Sequence, residues 1–177
     1  RIGAKKAVGI ALDPETGGVL SMVSIPGFDN NLFSGGISKA QYEEIVSDPL
    51  HPFFNRAVSG TYPMGSTIKP LIASAALEEH IIDPDKELLT HGYIEVPNEY
   101  DPTIVYRFAD NKDHGLVDMR DAIAVSSNVY FYTIGGGYED QQGLGPTRMK
   151  DYLVKFGWGA KTGIDLPSEA QGLIPDQ

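Results

Sequence analysis

The chain has 177 residues, enough for one domain, or a large piece of one, with a real core. It carries 24 Asp and Glu against 14 Lys and Arg, a net charge of −10 with no basic cluster, which argues against nucleic acid as a partner. Cysteine is absent, so disulfides and thiolate metal sites are excluded.

No run of eighteen apolar residues is present to span a bilayer. Arg1-Ile2-Gly3-Ala4-Lys5-Lys6 lacks the apolar stretch of a signal peptide, so any anchor or export signal is expected outside these residues. The first predicted unit is a hairpin. Residues 7–12 and 19–24 are apolar, and Asp13-Pro14-Glu15-Thr16-Gly17-Gly18 between them is strong turn chemistry. Ser38 predicts the N-cap of a short helix over 39–47, after which Asp48-Pro49 and His51-Pro52 break the pattern.

The strongest helix signal covers 67–79, where Leu, Ile and Ala occupy most of the circumference and Pro70 falls in the first turn. Residues 85–115 read as strands and loops, with Tyr93-Ile94-Glu95-Val96 the clearest strand. Helices follow over 118–125 and 129–134. Ser126-Ser127-Asn128 separates them because three such side chains compete for backbone hydrogen bonds. Gly135-Gly136-Gly137 is expected to stop the second of these, and a last helix is predicted over 146–156.

Chemistry concentrates in Tyr62-Pro63-Met64-Gly65-Ser66-Thr67-Ile68-Lys69-Pro70. A serine and a lysine three residues apart at a helix start share one face. The amine can then take the serine's proton, provided its surroundings lower its pKa. A bare pair of this spacing is most often an ordinary surface lysine near a helix start. Here it stands in company: Asn55-Arg56-Ala57-Val58-Ser59-Gly60, His114-Gly115-Leu116-Val117-Asp118, Ser126-Ser127-Asn128-Val129-Tyr130-Phe131-Tyr132, Phe156-Gly157-Trp158-Gly159 and Thr162-Gly163-Ile164-Asp165-Leu166-Pro167 follow in order. Together with the hairpin, these segments resemble the first part of the transpeptidase domain of class B penicillin-binding proteins, most closely the elongation-type, penicillin-binding protein 2-like members.

The resemblance implies an α/β (α+β) fold of the penicillin-binding transpeptidase and serine β-lactamase type. An N-terminal hairpin of an antiparallel sheet would be followed by a mainly helical part. Residues 1–177 would form a partial transpeptidase domain lacking its C-terminal strands. The implied activity is D,D-transpeptidation of peptidoglycan stem peptides ending in D-Ala-D-Ala, with β-lactams acylating the same serine and no cofactor or metal required. Ser66 would be the nucleophile and Lys69 its base. Ser126 would relay the proton to the departing D-alanine, and Asn128 would orient substrate and amine. Gly65 and Ser127 would contribute to substrate binding. The resemblance further implies the extracytoplasmic face of a bacterial cytoplasmic membrane, an anchor outside this chain, and a polytopic glycan polymerase as partner.

Lys161-Thr162-Gly163 matches the family's third motif in letters but reads as a turn. Gly157 and Gly159 precede it, Asp165-Leu166-Pro167 follows it, and proline does not fit a central strand. The working motif is expected downstream. His51, His80, His91 and His114 are scattered without metal-ligand spacing. Arg56 reads as an ion-pair partner, and Trp158, Tyr130, Phe131 and Tyr132 as packing residues. Two alternatives stay open at this level: a serine β-lactamase or β-lactam sensor, for which no deacylating residue stands out, and an inactive piece acting only as a binding or structural module.

Overall fold

Asp13 closes the first turn by accepting from the Glu15 N–H at 2.9 Å and the Thr16 hydroxyl at 2.7 Å, while Gly17 supplies a positive φ of 72°. This joins β1 (Ala7–Leu12) and β2 (Val19–Ile25) as an antiparallel pair, with a register shift between Ala11 and Leu12, in the computed structural model, which describes residues 3–175. Contacts divide the chain into two compact units: residues through Tyr62 with Lys161–Gly172, and Pro63–Ala160 with the residues after Gly172. Among the described residues no helix is long and apolar enough to cross a membrane.

In the first unit, α1 (Lys39–Ser47) starts with a complete capping box, the Ser38 side chain and Gln41 each satisfying the other's backbone N–H. Arg56 is buried here, and the expected ion pair does not form among the described residues. Its guanidinium instead donates to the carbonyls of Leu50, His51 and Phe54, so it organises a loop by hydrogen bonding.

The second unit holds the larger core. After a 3-10 turn over Gly65–Ile68 comes α2 (Lys69–Glu78). β3 (Leu88–Thr90) pairs antiparallel with β6 (Gly115–Val117), and β4 (Tyr93–Pro97) with β5 (Val105–Ala109). α3 (Met119–Val125), α4 (Asn128–Gly136) and α5 (Gly145–Lys155) complete it. Leu71, Ile72, Ala75, Ala76, Tyr130 and Ile134 lie in one buried cluster. α2 packs against α3, α4 and α5, which is why its apolar residues cover most of its circumference, and its alanines let the neighbouring backbones approach closely. Trp158 packs against the same cluster, whereas Tyr132 is exposed and meets Phe108 edge-on at 5.8 Å.

Two expectations shift. The helix predicted from residue 67 begins as a tighter 3-10 turn and becomes α-helical only at Lys69. Gly135 and Gly136 stay helical, and only Gly137, at φ 86°, ends α4.

Candidate active site

Ser66 lies in the 3-10 turn, exposed, and its hydroxyl makes no hydrogen bond among the described residues. The preceding Gly65 takes a φ of 57°, with open space where a side chain would begin. Lys69 is the first residue of α2 and is only 8% exposed. Pro70 follows at a position where the missing N–H has no helical partner to lose.

The Lys69 amine points to the α3–α4 junction. Its Nζ lies 2.7 Å from the Ser126 carbonyl, 3.1 Å from Ser126 Oγ and 2.7 Å from Asn128 Oδ1, with the Phe131 ring centroid at 5.6 Å. The structure thus brings Lys69, Ser126 and Asn128 together, with Ser66 one turn before Lys69, its carbonyl accepting from the Lys69 backbone N–H and, among the described residues, no hydrogen bond between the two side chains. Burial pushes the Lys69 amine below its ordinary value of 10.5, and the nearby charge of Asp110 opposes that shift without cancelling it.

The junction itself follows from local chemistry. α3 closes with the Ser127 N–H on the Ala122 carbonyl at 3.0 Å and Ser126 in the left-handed conformation, φ 57° and ψ 45°. Ser127 then caps α4, its hydroxyl accepting from the Tyr130 N–H. Ser127 is fully buried, so its side chain is committed to the junction instead of lying open to a ligand as expected.

Asp110, on the loop leaving β5, is the residue that sequence reasoning missed. Its side chain is 0% exposed. Oδ2 accepts from Ser127 Oγ at 2.7 Å and from the Val129 N–H at 2.9 Å, and Oδ1 accepts from the Asn111 N–H at 2.8 Å. Burial alone would raise its pKa, but these donors and the Asn128 backbone together hold the carboxyl below the ordinary 3.8. His114 Nε2 stands 3.8 Å from Oδ1, itself 3% exposed. The Asn128 amide nitrogen reaches the Ala109 carbonyl at 3.4 Å, which turns its oxygen toward Lys69. Asp110-Asn111 reads in sequence as turn composition, and the only pointer nearby was the family segment beginning at His114.

Lys161-Thr162-Gly163 belongs to no strand and is exposed. Glu169 holds it as a loop, accepting from the Thr162 N–H at 2.6 Å, its hydroxyl at 2.7 Å and the Gly163 N–H at 3.3 Å. That geometry fits the turn reading.

Residues 7–177 match the family described as the penicillin binding protein transpeptidase domain. The chain belongs to this family. It is 38% identical over 178 residues to a peptidoglycan D,D-transpeptidase MrdA of Acinetobacter baumannii, covering 99% of this chain and 25% of the relative. The chain therefore spans about a quarter of the length of that curated relative. Among solved structures, PBP2 of Pseudomonas aeruginosa in complex with WCK 5153 is 35% identical with a TM-score of 0.81, covering 98% of this chain and 37% of that one. A chain from a peptidoglycan synthase complex that coordinates polymerization and crosslinking is 31% identical with a TM-score of 0.77, covering 98% of this chain and 28% of that one. The mixed helical and antiparallel fold expected from the sequence is the fold of these transpeptidase domains.

Proposed function

We propose that this chain carries the serine acylation centre of an elongation-type peptidoglycan D,D-transpeptidase. The observation that carries the reading is the buried amine of Lys69, held by Ser126 and Asn128 one helical turn from the exposed hydroxyl of Ser66. A neutral amine has two N–H groups for its two 2.7 Å acceptors and turns its lone pair to the hydroxyl at 3.1 Å. Lys69 and Ser126 therefore form one proton-transfer unit. In the productive complex, catalytic hydrogen bonds tighten around substrate, and Ser66 joins that unit.

Ser66 attacks the carbonyl of the penultimate D-alanine of a stem peptide, and its proton passes to Lys69. The tetrahedral oxyanion is met by backbone N–H groups, that of Ser66 among them, because the first N–H groups of a helical segment have no internal acceptor. D-alanine departs with a proton relayed through Ser126. An amine of a neighbouring stem then displaces Ser66 from the acyl-enzyme. β-Lactams present the same D-Ala-D-Ala shape and acylate Ser66. Asn128 holds both the amine and the substrate peptide, and Gly65 leaves room for substrate beside Ser66. No step uses a metal or cofactor.

On this reading residues 1–177 are the N-terminal part of a transpeptidase domain whose strand-borne Lys-Thr-Gly element is not Lys161-Thr162-Gly163. The exposed loop around Glu169 supports that. The protein would act on the extracytoplasmic face of a bacterial membrane, anchored outside these residues, beside a polytopic glycan polymerase. Its similarity to a synthase that couples polymerization and crosslinking supports this partner.

Penicillin treatment of the protein expressed from its complete gene should add one adduct, mapped by mass spectrometry to the peptide containing Ser66. Lys69→Ala should slow that acylation by roughly 10²–10⁴-fold, the usual contribution of a general base. Label on Ser126 or Ser127 instead would overturn the assignment.

A further inference from the structure

All three hydrogen-bond partners of the Lys69 amine come from the Ser126-Ser127-Asn128 turn, so the base is only as well placed as that turn. The turn opens with Ser126 in the left-handed region, the conformation that ends α3. The end of β5 holds the residues that follow. Ala109 takes the Asn128 amide, and Asp110 takes the Ser127 hydroxyl and the Val129 N–H, so three successive residues are tied to two.

We propose that Asp110 is a positioning residue of the acylation centre, its buried carboxylate clamping this turn so that Lys69 meets Ser126 and Asn128 in one geometry. The proposal rests on the transpeptidase reading above. Only a carboxylate suits the place. Donors approach both of its oxygens, and an amide there would turn an N–H group toward another donor. The charge has a second effect. Two ionisable groups are brought to it, Lys69 from α2 and His114 from the loop before β6. With the side chain wholly withdrawn from solvent, its field on Lys69 is weakly screened and favours the protonated amine. Removing that charge extends the neutral, basic form of Lys69 to lower pH.

The test measures fluorescent-penicillin labelling rate against pH for the protein expressed from its complete gene, for Asp110→Asn and for Ser127→Ala, with thermal unfolding in parallel. Asp110→Asn should lower the plateau rate by roughly 10- to 100-fold, as small misplacements of a catalytic group do. It should also move the rising limb to lower pH, a shift that a merely structural role would not produce. Ser127→Ala, which keeps the charge and removes one strut, should lower the plateau about 10-fold and leave the limb in place. An unmoved limb or an undiminished plateau in Asp110→Asn overturns the proposal. If that variant does not fold, an undiminished plateau in Ser127→Ala does so. Failure of the unmodified protein to label overturns the transpeptidase reading and this proposal with it, whereas normal labelling of both protein and variants overturns this proposal alone.

Discussion

A solvated lysine amine is almost wholly protonated at neutral pH, so what separates Lys69 from the other lysines is its surroundings. It is 8% exposed, and burial disfavours its charge. The linkage runs in one direction: below the folded pKa, protonating the buried amine costs stability, and that cost is relieved as pH rises toward the ordinary 10.5. Asp110 behaves oppositely. The stability from its hydrogen bonds is present above 3.8 and is lost as pH falls through its lower folded value. Lys161 is placed differently. It is exposed, on a loop held by Glu169. Lys161→Ala should therefore leave the acylation rate within a factor of about 2, as most surface substitutions do. A loss comparable to that of Lys69→Ala in a labelling time course would make Lys161-Thr162-Gly163 the third motif after all.

Three helices of the second unit end alike, and the comparison isolates what is special at Ser126. α2 ends with His80 at φ 51° and the Ile81 N–H on the Ala76 carbonyl at 2.9 Å. α5 ends with Gly157 at φ 82° and the Trp158 N–H on the Leu153 carbonyl at 3.0 Å. α3 ends with Ser126 in the same left-handed place, where glycine fits without strain. A non-glycine residue there costs roughly 1–2 kcal/mol, offset by the roughly 0.4–1 kcal/mol that glycine's unfolded-state freedom costs. Ser126→Gly should therefore be more stable than Ser126→Ala by about 1 kcal/mol, since both lack the hydroxyl and differ only in backbone freedom. Urea unfolding of the two variants measures it, and equal midpoints would refute the strain. Most of this element scale was legible in the sequence. Ser38, the apolar circumference of 67–79 and the Ser126-Ser127 break are local signals, and they mark helix ends to within a residue or two. Asp110 was not legible, because a carboxylate in a polar loop looks solvated until the chain folds it against residues 127 to 129. Arg56 was misread for a related reason: its acceptors are backbone carbonyls, which leave no mark in a sequence.

At the scale of the whole molecule, the hairpin does not cover its own apolar surface. The register sets Val8, Ile10 and Met22 on one face and Gly9, Val23 and Ile25 on the other, so neither face is polar. Ile10, Leu12 and Leu20 are 48%, 55% and 72% exposed. A two-stranded ribbon is marginal in water without a further layer. Strands that are apolar on both faces are built to be covered on both. Set against this is the net charge of −10, which repels copies of the chain from one another. Screening changes that balance, because the Debye length falls from about 10 Å at 0.1 M salt to about 3 Å at 1 M, while apolar attraction is not weakened. The 177 residues expressed alone should therefore bind an apolar dye such as ANS and self-associate more as salt rises. Light scattering coupled to size exclusion, run from low salt to 1 M, measures this directly. A monodisperse monomer across that range, with no dye binding, would mean that the hairpin's apolar faces are covered within these residues.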